Sequence, residues 1–176
     1  MDRIFIFDVD GTLTPSRQKM TKEFKEFFGK WAERNKFYLV TGSDLPKLQE
    51  QMDFMDIEAE GIFTCCGNQF WKPDPHIVNI SAEQIYCNKF KPPETLLTYL
   101  GEQIRFSEYP NRCGNHIENR GSMVNFSIVG RDCTLEQRKD YFEWDKKHKE
   151  RQKIANIIFR NSSKCFGKSN LFSYIG

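Results

Sequence analysis

An apolar segment that ends in two closely spaced aspartates is the feature that most constrains how this chain can fold. Arg3 to Asp8 (RIFIFD) predicts a strand, because aromatic and β-branched side chains favour extended backbone, and Asp10 follows in an Asp-Val-Asp-Gly-Thr turn. Apolar residues then recur at helical spacing on one predicted helix face: Met20, Phe24, Phe27, Phe28 and Trp31. Phe37 to Val40 predicts a second strand and Gly61 to Cys65 a third. Strands that alternate with helices predict an α/β fold with a parallel sheet, right-handed crossovers and a ligand site at the carboxyl ends of the strands.

The pattern of the sequence changes after about residue 80. The elements that follow are a helix opened by a Pro-Pro pair (Glu94 to Gln103), an antiparallel pair of strands (Asn115 to Glu118 and Met123 to Val129), and a mostly helical stretch with a break near Lys146 (Leu135 to Ile158). We therefore expect two domains: residues 1–80 form part of the parallel-sheet core, and residues 81–176 form a separate α+β module.

Composition and charge exclude several classes of function. The 26 basic and 24 acidic residues nearly balance at +2, whereas nucleic-acid binding needs a clustered positive excess. No stretch approaches the ~20 apolar residues of a membrane span, and no targeting signal is recognisable at the N-terminus. The six cysteines form no C-x-x-C pair, as is usual in a reducing compartment, and the three histidines lack the spacing of zinc ligands. We expect a cytoplasmic protein without nucleic-acid or membrane partners.

The strand-end aspartates indicate phosphoryl-transfer chemistry. Two carboxylates two residues apart can divide the work: Asp8 attacks phosphorus, and Asp10 moves a proton to or from the sugar oxygen. Gly11 lets the backbone turn sharply after them. A calcium loop starting at Asp8 would need Gly and Glu where Leu13 and Lys19 stand, so it is excluded. A plain turn, in which Asp10 only accepts backbone hydrogen bonds, stays as the alternative.

A second group of polar residues follows the second predicted strand. The hydroxyls of Thr41 and Ser43 and the amides of this Thr-Gly-Ser-Asp segment are placed to hold phosphoryl oxygens at the start of a helix. The alternative is an ordinary helix cap provided by Ser43 or Asp44. The position after the second strand of this sheet favours phosphate binding.

Three arginines of the second module form the third group. Arg120, Arg131 and Arg138 lie on the predicted hairpin and on the helix after it, where they can converge on a dianionic phosphate. Arginine suits this task because its planar guanidinium binds phosphate oxygens in pairs. Without further context, three arginines are more often solvated surface residues.

Two separated segments carry a family resemblance. FDVDGTL resembles the first motif of the haloacid dehalogenase superfamily, and its extension Thr14-Pro15-Ser16-Arg17 resembles phosphomannomutases. The segment from Asn119 to Arg138 is similar to the phosphomannomutase cap, with both arginine-to-arginine intervals kept, and the stretch Tyr141 to Arg151 matches the family's next helix. The chain thus resembles a eukaryotic-type phosphomannomutase with a subclass IIB cap. This implies a haloacid dehalogenase-like Rossmannoid core, here its three-stranded parallel part, and an α+β cap domain.

The resemblance also implies an activity and roles for single residues. The family interconverts mannose 6-phosphate and mannose 1-phosphate through an aspartyl-phosphate enzyme, with a hexose bisphosphate as activator. Asp8 would be the nucleophile and Asp10 the general acid/base, and both would hold Mg²⁺. The residues that would face the phosphorylated hexose are Arg17, Arg120, Arg131 and Arg138, with Met123 and Asn125 as pocket neighbours. Homodimers would form through the cap.

The resemblance leaves alternatives to mutase activity open. A sugar-phosphate phosphatase would share the nucleophile but transfer the phosphoryl group to water. The family also has a later lysine and a later acidic motif, and this sequence ends at Gly176 where the segment leading to them would begin. We therefore expect a chain truncated at the C-terminus, with an incomplete core and the first strand at a sheet edge. An inactive or split-gene fragment that binds sugar phosphate or a partner chain is the third alternative.

Overall fold

In a computed structural model, which describes residues 3–16, 18–52, 59–73 and 82–161, the chain divides into unit 1 (Met1–Lys89) and unit 2 (Phe90–Gly176). The division lies later than the boundary expected after residue 80. The difference arises because a strand at Ala82–Cys87 pairs within the sheet of unit 1.

Three parallel strands form one part of the sheet in unit 1. They are β1 (Phe5–Asp8), β2 (Phe37–Val40) and β3 (Gly61–Thr64), and each pairs in parallel with its neighbour. The predicted three-stranded parallel part is confirmed. The third strand ends one residue earlier than predicted, because Cys65 has a φ of 52° and so leaves the extended conformation.

The crossover between β1 and β2 is helix α1 (Lys22–Ala32), which begins where the Thr21 side chain accepts a hydrogen bond from the Phe24 amide at 3.3 Å. Phe28 is the centre of its buried face and packs edge-on against Phe7 and Phe37. Phe27, predicted to share this face, is 65% exposed. At about 100° per residue it lies at the margin of the apolar stripe, which Phe24, Phe28 and Trp31 fill.

Helix α2 (Leu45–Met52) follows β2, and the Asp44 carboxylate accepts a hydrogen bond from the Lys47 amide at 3.2 Å. Of the two predicted caps, Asp44 is therefore the one that bonds the first turn. Leu48 and Met52 of this helix are fully buried against the sheet cluster.

Two antiparallel strands extend the sheet, β4 (Gln69–Pro73) and β5 (Ala82–Cys87), in the order β1-β2-β3-β4-β5. They have no counterpart in the sequence prediction, because β5 is mostly exposed and its sequence AEQIYC lacks a clear apolar alternation. At the other end of the sheet, β1 pairs only with β2 among the described strands, and Ile6 on it is 65% exposed. Among the described strands, β1 is therefore at the edge of the sheet, as expected.

Unit 2 is an α+β module. Its elements are α3 (Glu94–Phe106), β6 (Ile117–Asn119), β7 (Val124–Phe126), α4 (Leu135–His148) and α5 (Glu150–Asn161). β6 and β7 form the predicted antiparallel pair. The predicted break in the long helical stretch falls at Lys149, whose left-handed backbone separates α4 from α5. Within the described ranges, no helix is both long and apolar enough to cross a membrane.

A buried carboxylate fixes the junction between α4 and α5. Asp145 accepts hydrogen bonds from the backbone amide of Arg151 at 3.0 Å and from its Nε at 2.8 Å. Burial alone would raise the pKa of Asp145, but the bonds and charge of Arg151 outweigh it, so this pKa lies below its ordinary value.

We expect Asp145→Asn to lower the free energy of unfolding by about 1–3 kcal/mol at pH 7, because a charge-assisted bond becomes neutral. The pKa of Asp145 is lower in the folded state than its ordinary value of 3.8. The stabilisation that the charged Asp145 gives to the fold is therefore fully present at pH values above 3.8 and is lost as the pH falls through the folded-state pKa. Urea denaturation at pH 7 and in the acid range measures both effects. Asp140→Asn, at an exposed position of the same helix, is the control and should change little. A loss that stays constant into the acid range would contradict the assignment.

Candidate active site

The two aspartates of the first motif lie at the carboxyl end of the parallel sheet. Asp8 is the last residue of β1, is exposed, and pairs in register with Val40 of β2. Asp10 lies two residues further on and is half-buried. Both carboxylates therefore stand at the edge of the sheet where ligands of α/β folds bind.

A tight turn carries the chain from Asp8 past Asp10. The carbonyl of Val9 accepts hydrogen bonds from the Leu13 and Thr14 amides, each at 3.0 Å. Gly11 has a φ of +84°, in the left-handed region that glycine adopts without strain. The role expected for Gly11 in this turn is confirmed.

Gln51 holds the Asp10 carboxylate, a contact that the sequence analysis did not predict. Its Nε2 donates to Asp10 Oδ1 at 2.9 Å, although the side chain is only 1% exposed. Reversing the amide would turn its oxygen toward the carboxylate, so this orientation is the favourable one. The signal that points to Gln51 is its place between Leu48 and Met52 on the buried face of α2, where a polar residue is unusual.

The Thr41–Ser43 loop begins beside Asp8, because Val40 is the register partner of Asp8 and neighbouring strands lie about 4.8 Å apart. Thr41 is buried, and its hydroxyl oxygen accepts the Ser43 amide at 3.0 Å. The end of β3 secures the loop, since the Cys66 amide donates to the Thr41 carbonyl at 3.0 Å. The loop is thus fixed from within and from the next strand.

The structure brings three predicted substrate residues together around a fourth residue that the sequence did not single out, Glu118. Glu118 Oε2 accepts hydrogen bonds from Arg120 Nη2 at 2.8 Å and Nε at 3.2 Å and from Asn125 Nδ2 at 3.4 Å. It also forms an ion pair with Arg131, whose Nε lies 3.3 Å away. Burial alone would raise the pKa of Glu118, but the charges and hydrogen bonds of these partners outweigh it, so this pKa lies below its ordinary value.

The other predicted substrate residues are placed separately. Met123 closes the β6–β7 turn, where its carbonyl accepts the Arg120 amide at 2.9 Å. Arg138 lies in the first turns of α4, half-buried, and burial lowers its pKa. It makes no hydrogen bond to Glu118 within the described residues. Arg17 lies outside the described residues.

A glycine sets the position of Arg131. Gly130 has a φ of +91°, and a Cβ atom there would overlap the backbone carbonyl of Cys113. The adjoining backbone is fixed by the Arg131 amide, which donates to the Asn115 carbonyl at 2.7 Å. Close backbone packing at Gly130 therefore determines where the Arg131 side chain starts.

We expect Gly130→Ala to destabilise the fold more than Gly121→Ala, the matched control. Both glycines have a left-handed φ, which costs alanine about 1–2 kcal/mol, but a Cβ at Gly121 would meet open space. The overlap at Gly130 should add a further ~1–3 kcal/mol. Urea denaturation of the two variants measures the difference, and equal losses would show that the close approach to Cys113 is unimportant.

Comparison with known proteins places the chain in a family. The family model of eukaryotic phosphomannomutase matches residues 24–176. A phosphomannomutase of Encephalitozoon cuniculi is 35% identical over 173 residues, covering 93% of this chain and 64% of the relative. Human phosphomannomutase 1 is 31% identical over 184 residues, covering 96% of this chain and 66% of the relative. The chain thus spans slightly less than two thirds of the length of these relatives.

Solved structures agree on the fold. The C-terminal domain of C. albicans trehalose-6-phosphate phosphatase aligns with a TM-score of 0.58 at 16% identity, covering 93% of this chain and 51% of that one. ATP-bound Plasmodium falciparum IMP-nucleotidase aligns with a TM-score of 0.55 at 12% identity, covering 92% of this chain and 42% of that one. At such identities the likeness supports the haloacid dehalogenase-like fold alone. With the strand-end aspartates, the arginine hairpin and the family match in agreement, this chain belongs to the eukaryotic phosphomannomutase family.

Proposed function

We propose that this protein interconverts mannose 6-phosphate and mannose 1-phosphate through a phosphorylated aspartate. The observation that carries the proposal is the pair Asp8 and Asp10 at the carboxyl end of β1, in a chain of the eukaryotic phosphomannomutase family. Curated relatives that match most of this chain are named phosphomannomutase, which supports the same activity here.

Asp8 is the proposed nucleophile because its carboxylate is exposed at the edge of the sheet. A bond forms between its oxygen and phosphorus as the bond from phosphorus to the sugar oxygen breaks. Asp10 gives a proton to the leaving oxygen and takes one from the hydroxyl that attacks in the return step. The amide of Gln51 restrains Asp10 for this exchange.

Two further groups bind the phosphates of the hexose in this proposal. Thr41 and Ser43 hold the phosphoryl group in transfer, since their loop begins beside Asp8 at the start of α2. The sugar's other phosphate is bound by the arginine set with its pocket neighbours: Arg17, Arg120, Arg131, Arg138, Met123 and Asn125. A hexose bisphosphate is the proposed activator, because it can phosphorylate Asp8.

Mg²⁺ is the proposed metal, and the donor set of Asp8 and Asp10 fits it. Carboxylate oxygens are the donors that Mg²⁺ prefers, and this ion is commonly held by one or two carboxylates together with phosphate oxygens and water. Among the described residues no group of three or more His, Cys, Asp or Glu side chains is close enough to hold a metal. When bound, the ion would neutralise charge on the phosphoryl group.

The proposal extends to assembly and location. Homodimerisation through unit 2 is expected for this family, and light scattering of the purified chain beside isolated unit 1 would test it. The cytoplasm is the proposed compartment, and imaging of a fluorescent fusion would test it.

The central prediction is that Asp8→Asn abolishes turnover. Mannose 1-phosphate, Mg²⁺ and a hexose bisphosphate should give mannose 6-phosphate with the wild type, and the variant should be slower by roughly a thousandfold or more, because the nucleophile is gone. Intact mass should show one phosphoryl group on the wild type alone. Asp140→Asn is the matched control. Turnover that survives in Asp8→Asn would refute the mechanism, and inorganic phosphate released in place of isomerised sugar would favour a phosphatase.

Gln51→Leu should lower kcat by about tenfold or more while leaving KM nearly unchanged. The variant removes one hydrogen bond to a charged group that acts in proton transfer but does not bind the sugar. Glu50→Gln, at an exposed position of the same helix, is the control. A change in KM alone would mean that Gln51 supports binding and not the action of Asp10.

A further inference from the structure

The unexplained feature of unit 2 is an acidic side chain at the centre of its basic cluster. A single oxygen of Glu118, Oε2, accepts hydrogen bonds from Arg120 and Asn125 at 2.8–3.4 Å and forms an ion pair with Arg131 Nε at 3.3 Å. These partners are three of the residues expected to face the sugar phosphate. A carboxylate among phosphate ligands either competes with phosphate or arranges those ligands.

The backbone favours an arranging role, because Glu118 has little freedom to withdraw. It lies on β6 directly opposite Asn125 on β7, and Arg120 follows two residues later, so all three side chains start from the same face of one hairpin. The turn of that hairpin is closed by the Gly121 amide, which donates to the Asn119 side chain at 2.9 Å. A substrate phosphate would therefore meet a carboxylate that is built into the strand pair.

The pattern of hydrogen bonds leaves one edge of a guanidinium for a ligand. Arg131 contacts Glu118 through Nε, and its terminal amino groups have no hydrogen-bond partner within the described residues. Its side chain is 23% exposed, whereas that of Arg120 is only 6% exposed. Because two terminal amino groups can bind two phosphate oxygens at once, Arg131 held in this way presents the fork that a phosphate needs.

We propose that Glu118 is a positioning residue for sugar-phosphate binding: its carboxylate fixes the guanidinium groups of Arg120 and Arg131 so that Arg131 offers its outer edge to the phosphate. This inference rests on the proposed function. Loss of Glu118 would act on the phosphate affinity in two opposite ways. The added net positive charge would raise the affinity, and the release of the arginine side chains would lower it. The Arg120 side chain is nearly buried and would lose its ion pair with Glu118, so the loss of fixed arginine positions should outweigh the added attraction.

The sign of the affinity change tests the proposal. Titration calorimetry with mannose 6-phosphate should show binding weakened about tenfold or more in Glu118→Ala, as for other partners that orient ligand-binding side chains. Glu118→Gln keeps the size and one acceptor oxygen, so it should restore part of the affinity. Glu143→Gln is the matched control, because it removes a glutamate paired at 2.8 Å with Lys146 on the surface of the same unit. Its affinity should equal that of the wild type.

A spectroscopic readout separates arrangement from general stability. In ¹⁵N NMR spectra without ligand, the Nε–H signals of Arg120 and Arg131 should be resolved and slow to exchange in the wild type and in Glu143→Gln. They should merge with those of solvated arginines in Glu118→Ala. If Glu118→Ala does not fold, the same comparison is made with Glu118→Gln.

The outcomes distinguish this inference from the function on which it rests. Binding by folded Glu118→Gln that equals or exceeds that of the wild type would overturn the positioning role and leave the proposed function intact. A wild-type chain that binds no mannose 6-phosphate would overturn both. Weakened binding together with lost Nε–H signals supports the inference.

Discussion

Parallel pairing of β1 with β2 is the constraint on which the rest of unit 1 depends. It places the end of β1 next to the end of β2, so that Asp8 and the loop after Val40 come together although a whole helix separates them in sequence. Parallel neighbours need such a crossover, and α1 supplies it by burying Phe28 against aromatic side chains of both strands. The chemistry proposed for Asp8 is therefore a consequence of how the sheet is wound.

The features that could be predicted from the sequence are those with a local cause. Strands β1 to β3 are short apolar runs, the α4–α5 break follows a change in local composition, and the Gly11 turn needs only its own residue type. Strands β4 and β5 could not be predicted, because their pairing partners are set by the sheet and because β5 is mostly exposed and shows no apolar alternation. The prediction for Phe27 was wrong for a related reason: its spacing places it at the margin of the helix face, which Phe24, Phe28 and Trp31 already fill.

The hydrogen-bond partners of predicted site residues also cannot be predicted from the neighbouring sequence. Gln51 bonds Asp10 from a distance of 41 residues along the chain. Its place on the apolar face of α2 marks Gln51 as unusual, but no local pattern identifies Asp10 as its partner. Glu118 lies close in sequence to Arg120, yet its importance appears only when Arg131 and Asn125 converge on the same oxygen. Buried polar groups require partners, so the partners of predicted site residues are the positions that a structure adds.

These partners also show how each candidate site handles charge. In unit 1 the proposed nucleophile and general acid/base are both acidic, so a phosphoryl group approaching them meets like charge. The start of α2 offers only about half a positive charge, and the neutral amide of Gln51 offers none. A divalent cation is the simplest way to let Asp8 reach phosphorus, which is the physical reason to expect Mg²⁺ there. Unit 2 has the opposite problem, an excess of arginine charge, and Glu118 offsets part of it while holding the arginines in place. In the proposed function, binding and chemistry thus require opposite local charges, and each can be arranged within its own unit.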